Sequence, residues 1–149
     1  MKQQTLKILL LVVLASFNLP LFAQRFDSVL NLLDTKYPQE KLYLQFDRGI
    51  YSPGETIWFK AYLFTGIYPS ALSKTIYAEL LDDQGKLLQR KSAPVIMAGA
   101  AAAFDLPADL KTHTVYVRAY TRWMLNFDTS FLFVKAIPIT NKSKATAAA

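Results

Sequence analysis

Apolar residues open the chain in an unbroken block and then settle into two successive rhythms. Ile8 to Phe17 is a run of apolar or small residues behind Lys2 and Lys7, broken by Pro20 and followed by Leu21-Phe22-Ala23-Gln24. A charged start, a short apolar core and a small residue at the scissile position are the order of a secretory signal peptide, cut after Ala23. The run is about half the length of a spanning helix. From Arg25 to Thr35 the period is 3.6, with Phe26, Val29, Leu30 and Leu33 on one face and Asp27, Ser28, Asn31 and Asp34 on the other. That spacing predicts a short amphipathic helix ending before Pro38, with a face too acidic for a membrane surface.

From Lys41 the period becomes two. Leu42, Leu44 and Phe46 alternate with Tyr43 and Gln45. Gly49–Glu55 is a turn region in which Pro53 fixes φ and Gly54 accepts the positive φ of a type II turn. Thr56–Phe64 follows as a strand with Ile57, Phe59, Ala61 and Leu63 on one side and Trp58, Lys60 and Tyr62 on the other. Strands are also predicted over 75–81, 86–91, 99–104, 114–121 and 131–137, with Asp82-Asp83-Gln84-Gly85 as a hairpin turn. About seven short strands with no crossover helix predict an all-β, antiparallel sandwich of the immunoglobulin or fibronectin III kind. The organisation is then a leader over 1–23, a short helix and linker over 24–39, a sandwich over 40–139 and a disordered tail over 140–149. The six-residue spacing of Leu110 and Tyr116 suggests a tyrosine corner, with Tyr116 inside and Arg118 near the sandwich end.

Composition narrows the chemistry. There is no cysteine, which excludes disulfides, thiolate metal sites, cysteine nucleophiles and lipid attachment at a leader cysteine. One histidine, His113, excludes a histidine-rich metal site, and its threonine neighbours mark it as a turn residue. Of the 17 basic residues set against 11 acidic ones, two belong to the leader. Glycine-rich phosphate loops and a Gly-x-Ser-x-Gly elbow are absent, and Asp82 and Asp83, adjacent in a turn, point apart. Neither an enzyme, a cofactor nor a metal is expected. Nucleic acid is an unsuitable partner for an exported chain, and no span is expected in the mature protein. What remains is a protein partner or neighbouring domain in the cell envelope, met through aromatic side chains at Trp58, Tyr62, Tyr120 and Trp123.

The stretch Asp47-Arg48-Gly49-Ile50-Tyr51-Ser52-Pro53-Gly54-Glu55-Thr56-Ile57-Trp58-Phe59-Lys60 resembles the opening of the second macroglobulin (MG2-type) domain of the alpha-2-macroglobulin family. Asp47, Arg48, Tyr51, Pro53, Gly54 and Glu55 match that pattern one by one. Tyr116-Val117-Arg118-Ala119-Tyr120-Thr121-Arg122-Trp123-Met124 is similar to a bacterial branch of the same domain, at the N-terminus of large envelope proteins, some with a TonB-dependent receptor plug. The resemblance implies an immunoglobulin-like sandwich exported to the periplasm or surface of a Gram-negative bacterium. It implies a non-catalytic docking module, the N-terminal part of a larger protein. Endopeptidase inhibition, which in the family rests on a bait region and often a Cys-Gln thioester elsewhere, is one alternative. An accessory role in TonB-dependent uptake is another.

Overall fold

The computed structural model describes residues 3–4, 27–32 and 35–140. The expected leader and tail lie almost wholly outside these. The chain divides into two compact units, Met1–Pro38 and Gln39–Ala149. In the first, residues 27–32 and 35–36 are helical, as the 3.6 period predicts, and Val29 and Leu30 are exposed. Phe26 and Leu33, the other members of that apolar face, lie outside the described residues.

The second unit is the predicted immunoglobulin-like sandwich, with eight strands rather than about seven. They are β1 (Glu40–Phe46), β2 (Thr56–Thr65), β3 (Tyr68–Pro69), β4 (Thr75–Leu81), β5 (Leu87–Pro94), β6 (Gly99–Asp105), β7 (Thr114–Thr121) and β8 (Phe133–Pro138). The unforeseen β3 is two residues long, too short to show a period. Sheet one runs β1-β2-β3, with β6 also paired to β2; sheet two runs β5-β4-β7-β8, and all these ladders are antiparallel.

Period-two alternation selects what goes inside. Ile57, Phe59, Ala61 and Leu63 of β2 are buried against Ile76, Ala78 and Leu80 of β4 and Val115, Val117 and Ala119 of β7. Phe59 and Phe104 stack at 5.4 Å between ring centres. The expected tyrosine corner is overturned here. Tyr116 is 37% exposed, while Val115, Val117 and Ala119 are fully buried. Three aliphatic side chains outweigh one phenol, and the same flip releases Arg118 from the core, where its charge would be costly. The buried phenol of this fold belongs instead to Tyr51, 1% exposed.

A carboxyl group closes one end of the sandwich. Glu40, with no exposed surface, starts β1. Its Oε1 accepts from Ser70 Oγ at 2.6 Å and from Ser73 N at 3.1 Å, and its Oε2 from Ser73 Oγ at 2.5 Å and Thr121 Oγ1 at 2.7 Å. One side chain thereby ties β1 of sheet one to the β3–β4 connection and to the end of β7 in sheet two.

The chain crosses from β5 of sheet two to β6 of sheet one through a tight turn at Met97-Ala98, both left-handed, with φ of 49° and 59°. Ile96 and Gly99 exchange backbone hydrogen bonds of 2.8 and 2.9 Å across it. This two-residue turn favours Asn-Gly, and a side chain there costs about 1–2 kcal/mol.

Two stability predictions follow from these contacts. Glu40→Ala removes the acceptor of three hydroxyls and lowers unfolding free energy by about 2–3 kcal/mol in urea titration; a loss below half that size would show the hydroxyls to be satisfied otherwise. Met97→Gly relieves a left-handed residue that is almost fully exposed, and raises unfolding free energy by about 0.5–1 kcal/mol; an unchanged midpoint would remove strain from this turn.

Candidate functional site

The Asp47–Glu55 loop folds on its own side chains. Pro53 and Gly54 occupy the centre of the turn, Gly54 at φ 81°, and Glu55 N donates to Ser52 O at 3.1 Å. Arg48 then bridges the loop. Its Nε reaches Asp47 Oδ2 at 3.4 Å and its Nη1 reaches Glu55 Oε2 at 3.2 Å, while Ser52 N donates to the same Glu55 oxygen at 2.8 Å. Arg48 also lies over the Tyr51 ring, 4.7 Å from its centre.

Tyr51 fastens this loop to the sandwich. Its hydroxyl donates to Asp47 Oδ1 at 2.5 Å and accepts from Arg48 N at 3.0 Å. Its backbone N–H donates to Pro138 O at 3.2 Å, and its carbonyl accepts from Thr140 N at 2.8 Å, so the loop joins the end of β8. Burial pushes the Tyr51 phenol up to about 12, and donation to the Asp47 carboxylate adds to this. For Asp47 burial favours the neutral form, but hydrogen bonds from Tyr51, Trp58 N–H and Arg48 outweigh it and lower the carboxyl below the usual aspartate value. The matched residues Asp47, Arg48, Tyr51, Pro53, Gly54 and Glu55 are thus brought together, and their polar groups are spent on one another.

Tyr116 and Arg118 lie elsewhere, on the outer face of sheet two. There Glu79 of β4, its side chain 1% exposed, sits between two arginines from the flanking strands. Arg90 of β5 holds Oε1 through Nε at 2.9 Å and Nη2 at 2.6 Å; Arg118 of β7 holds Oε2 at 2.8 and 2.5 Å. Tyr120 donates to Oε1 at 2.9 Å and stacks on Tyr77 at 5.8 Å. The carboxylate partner of Arg118 therefore lies on the neighbouring strand of the outer face. Sequence could have pointed to it only through the cross-strand register, which places Glu79 opposite both Arg90 and Arg118.

The four aromatic contact candidates divide between surfaces. Trp58 (61% exposed) and the half-buried Tyr62 lie on the outer face of sheet one, with Tyr43 (58% exposed) opposite Tyr62. Lys60 stands over the Tyr62 ring at 5.2 Å. Beside Trp58 is an open depression of about 380 Å³, lined by Gln45, Phe46, Asp47, Trp58, Phe59 and Lys60. The Trp58 neighbour on β6 is Ala103, so the indole stands clear of the sheet. Tyr120 is committed to Glu79, and Trp123 packs edge-on against Phe127 at 6.0 Å. Among the described residues no group of three or more His, Cys, Asp or Glu could hold a metal, and no helix is long and apolar enough to cross a membrane.

Acid sensitivity follows from Glu79. Burial raises its pKa, but hydrogen bonds from Arg118, Arg90 and Tyr120 more than reverse this and hold the carboxyl low. The folded value lies below that of an unfolded glutamate, about 4.3. The ion pairs therefore contribute fully above that pH and are lost as pH falls through the folded value. Thermal melting followed from neutral pH into acid should show Glu79→Gln less stable than the parent at neutrality and with a shallower acid decline. Equal declines would mean that Glu79 is not an acid-sensitive group.

Comparison with known proteins places this geometry. Residues 41–132, more than half of the chain, match the MG2 domain family. No curated protein matches the sequence. Among solved structures, the native conformation of Escherichia coli alpha-2-macroglobulin is similar at a TM-score of 0.59 and 15% identity, over 71% of this chain and 6% of that one. Salmonella alpha-2-macroglobulin reacted with methylamine is similar at 0.60 and 15% identity, over 70% of this chain and 6% of that one. Trypsin-activated Escherichia coli alpha-2-macroglobulin gives 0.57 and 16%, over 69% and 7%. The chain spans only about 6–7% of the length of these proteins, and at such identity the likeness is one of fold. With the Asp47–Glu55 loop and strands β2 to β7 inside the matched region, this chain belongs to the MG2 domain family.

Proposed function

We propose that the chain is an exported, non-catalytic docking module, the N-terminal part of a larger envelope protein. In this reading the leader ends at Ala23, and a sandwich over 40–139 meets a neighbouring domain or protein partner through the outer face of sheet one. The observation that carries it is the exposure of Trp58 on the same outer face as Tyr43 and Tyr62. Sheet two spends its outer-face charges internally on Glu79, and the Asp47–Glu55 loop is likewise saturated. Sheet one instead leaves an indole standing over small alanine neighbours. Aromatic side chains of this kind dominate binding energy where proteins meet. Endopeptidase inhibition is the alternative reading, and in it too this sandwich would serve as a scaffold rather than as the reactive part.

Benzoylphenylalanine in place of Trp58, irradiated in cells exporting the chain, should give a discrete polypeptide adduct. The same group in place of Asp83, in the β4–β5 turn, should give none. No adduct from position 58, or the same adducts from both positions, would overturn docking through sheet one. Stoichiometric inhibition of trypsin or elastase by the purified chain would overturn it in favour of the inhibitor reading.

A further inference from the structure

The most exposed large apolar side chains are grouped at one end of the sandwich, apart from the Trp58 face. Met97 is 98% exposed, Ile67 83%, Tyr68 71% and Ile96 70%. They belong to two narrow turns, β2–β3 and β5–β6, which meet at Leu63. Leu63 N donates to Ala98 O at 2.8 Å, and Leu63 O accepts from Ser70 N at 3.0 Å. In the lane beside β2, Gly99 faces Tyr62 and Pro69 faces Phe64, so the start of β6 and strand β3 succeed one another. Both tips therefore project from the same end of sheet one.

Charge is divided the same way. Lys41 pairs with Phe64 at this end, and Lys74 O accepts from Val95 N, next to the β5–β6 turn. Both lysines are exposed. Of the two carboxyl groups here, Glu40 is buried and saturated by hydroxyls and an N–H. Asp128, in the connection after β7, caps a 3₁₀ turn by accepting from Ser130 N. Asp47, Glu55, Asp82, Asp83 and Asp105 lie at the opposite end, a strand length of about 23 Å away.

We propose that this end docks on the surface of an anionic lipid bilayer, with Ile67, Tyr68, Ile96 and Met97 entering the headgroup–acyl boundary and Lys41 and Lys74 lying over the phosphates. Two apolar turn tips with a basic rim fit a fluid interface that can close around each tip. A protein partner would need a broad complementary surface of about 800 Å² on each side, which two narrow turns do not offer. Tyrosine at the base of such tips suits the level of the headgroups. Trp58 lies near the other end of β2 from these tips, so either proposal can fail without the other.

The absence of cysteine makes the test direct. Met97→Cys labelled with an NBD fluorophore should brighten and shift to shorter wavelength when phosphatidylglycerol–phosphatidylcholine vesicles are added. The same label at Asp83→Cys should not respond. Adding Ile67→Asp to the Met97→Cys chain should weaken the vesicle response about tenfold or more. All these chains share one N-terminus, so any binding by that segment is common to them. Ile67 is exposed enough for the change to leave the fold intact, checked by circular dichroism. No shift at position 97, equal shifts at 97 and 83, or a response indifferent to Ile67→Asp would each overturn the proposal.

Discussion

A buried phenol needs a partner for its hydroxyl, and in this sandwich that requirement holds one end together. Tyr51 sits inside with its oxygen on Asp47 and its backbone on Pro138 and Thr140. A sandwich has no ladder hydrogen bonds between its two sheets; they are joined by apolar contact, which is not directional. Side chains that cross from one sheet to the other therefore fix the relative position that packing leaves loose. Tyr51 fixes the end where β1 and β8 finish: its side chain anchors the loop after β1, and its backbone bonds that loop to Pro138 and Thr140. Glu40 fixes the end where β1 begins and β7 ends. The two clasps lie at opposite ends of β1, and each is fully satisfied, as buried oxygen must be.

Those clasps also show how far the sequence could be read. Alternation in β2, β4 and β7 is plain, because apolar residues occupy every second position from Ile57 to Leu63, from Ile76 to Leu80 and from Val115 to Ala119. Pro53-Gly54 is equally plain, since only glycine takes positive φ without a steric penalty. The six-residue spacing misplaces Tyr116, because three aliphatic residues of the opposite phase decide which face of β7 turns inward. Glu40 left no signal at all. Its partners Ser70, Ser73 and Thr121 are 30 to 81 residues away and of types that normally face water. Met97-Ala98 was hidden for the opposite reason: neither residue is one that a left-handed turn would select.

The surfaces differ in what they have left to give. At the Asp47–Glu55 loop and on Glu79, charged groups are already paired in fixed geometry, and a ligand would have to displace those bonds. Their role is to hold backbone, and the matched residues of the MG2 pattern that line the loop are explained by that role alone. Residues that are free to act are apolar and aromatic, and the family pattern does not include most of them. Membership in the MG2 family thus accounts for the scaffold, and the particular side chains on sheet one and at the Leu63 end account for what this chain can add to it.

The path of the chain through the unit sets where load on the polypeptide would fall. The polypeptide enters at Gln39, beside the Glu40 clasp, and leaves at Thr140, bonded to Tyr51 at the other end. Entry and exit are therefore separated by about the length of a seven-residue strand, roughly 23 Å. A unit with adjacent termini adds bulk to a protein without adding reach, whereas one with opposed termini extends it. Each terminus is also bonded within a few residues of the clasp at its own end, so tension along the chain would load Glu40 and Tyr51 before it reached the apolar core.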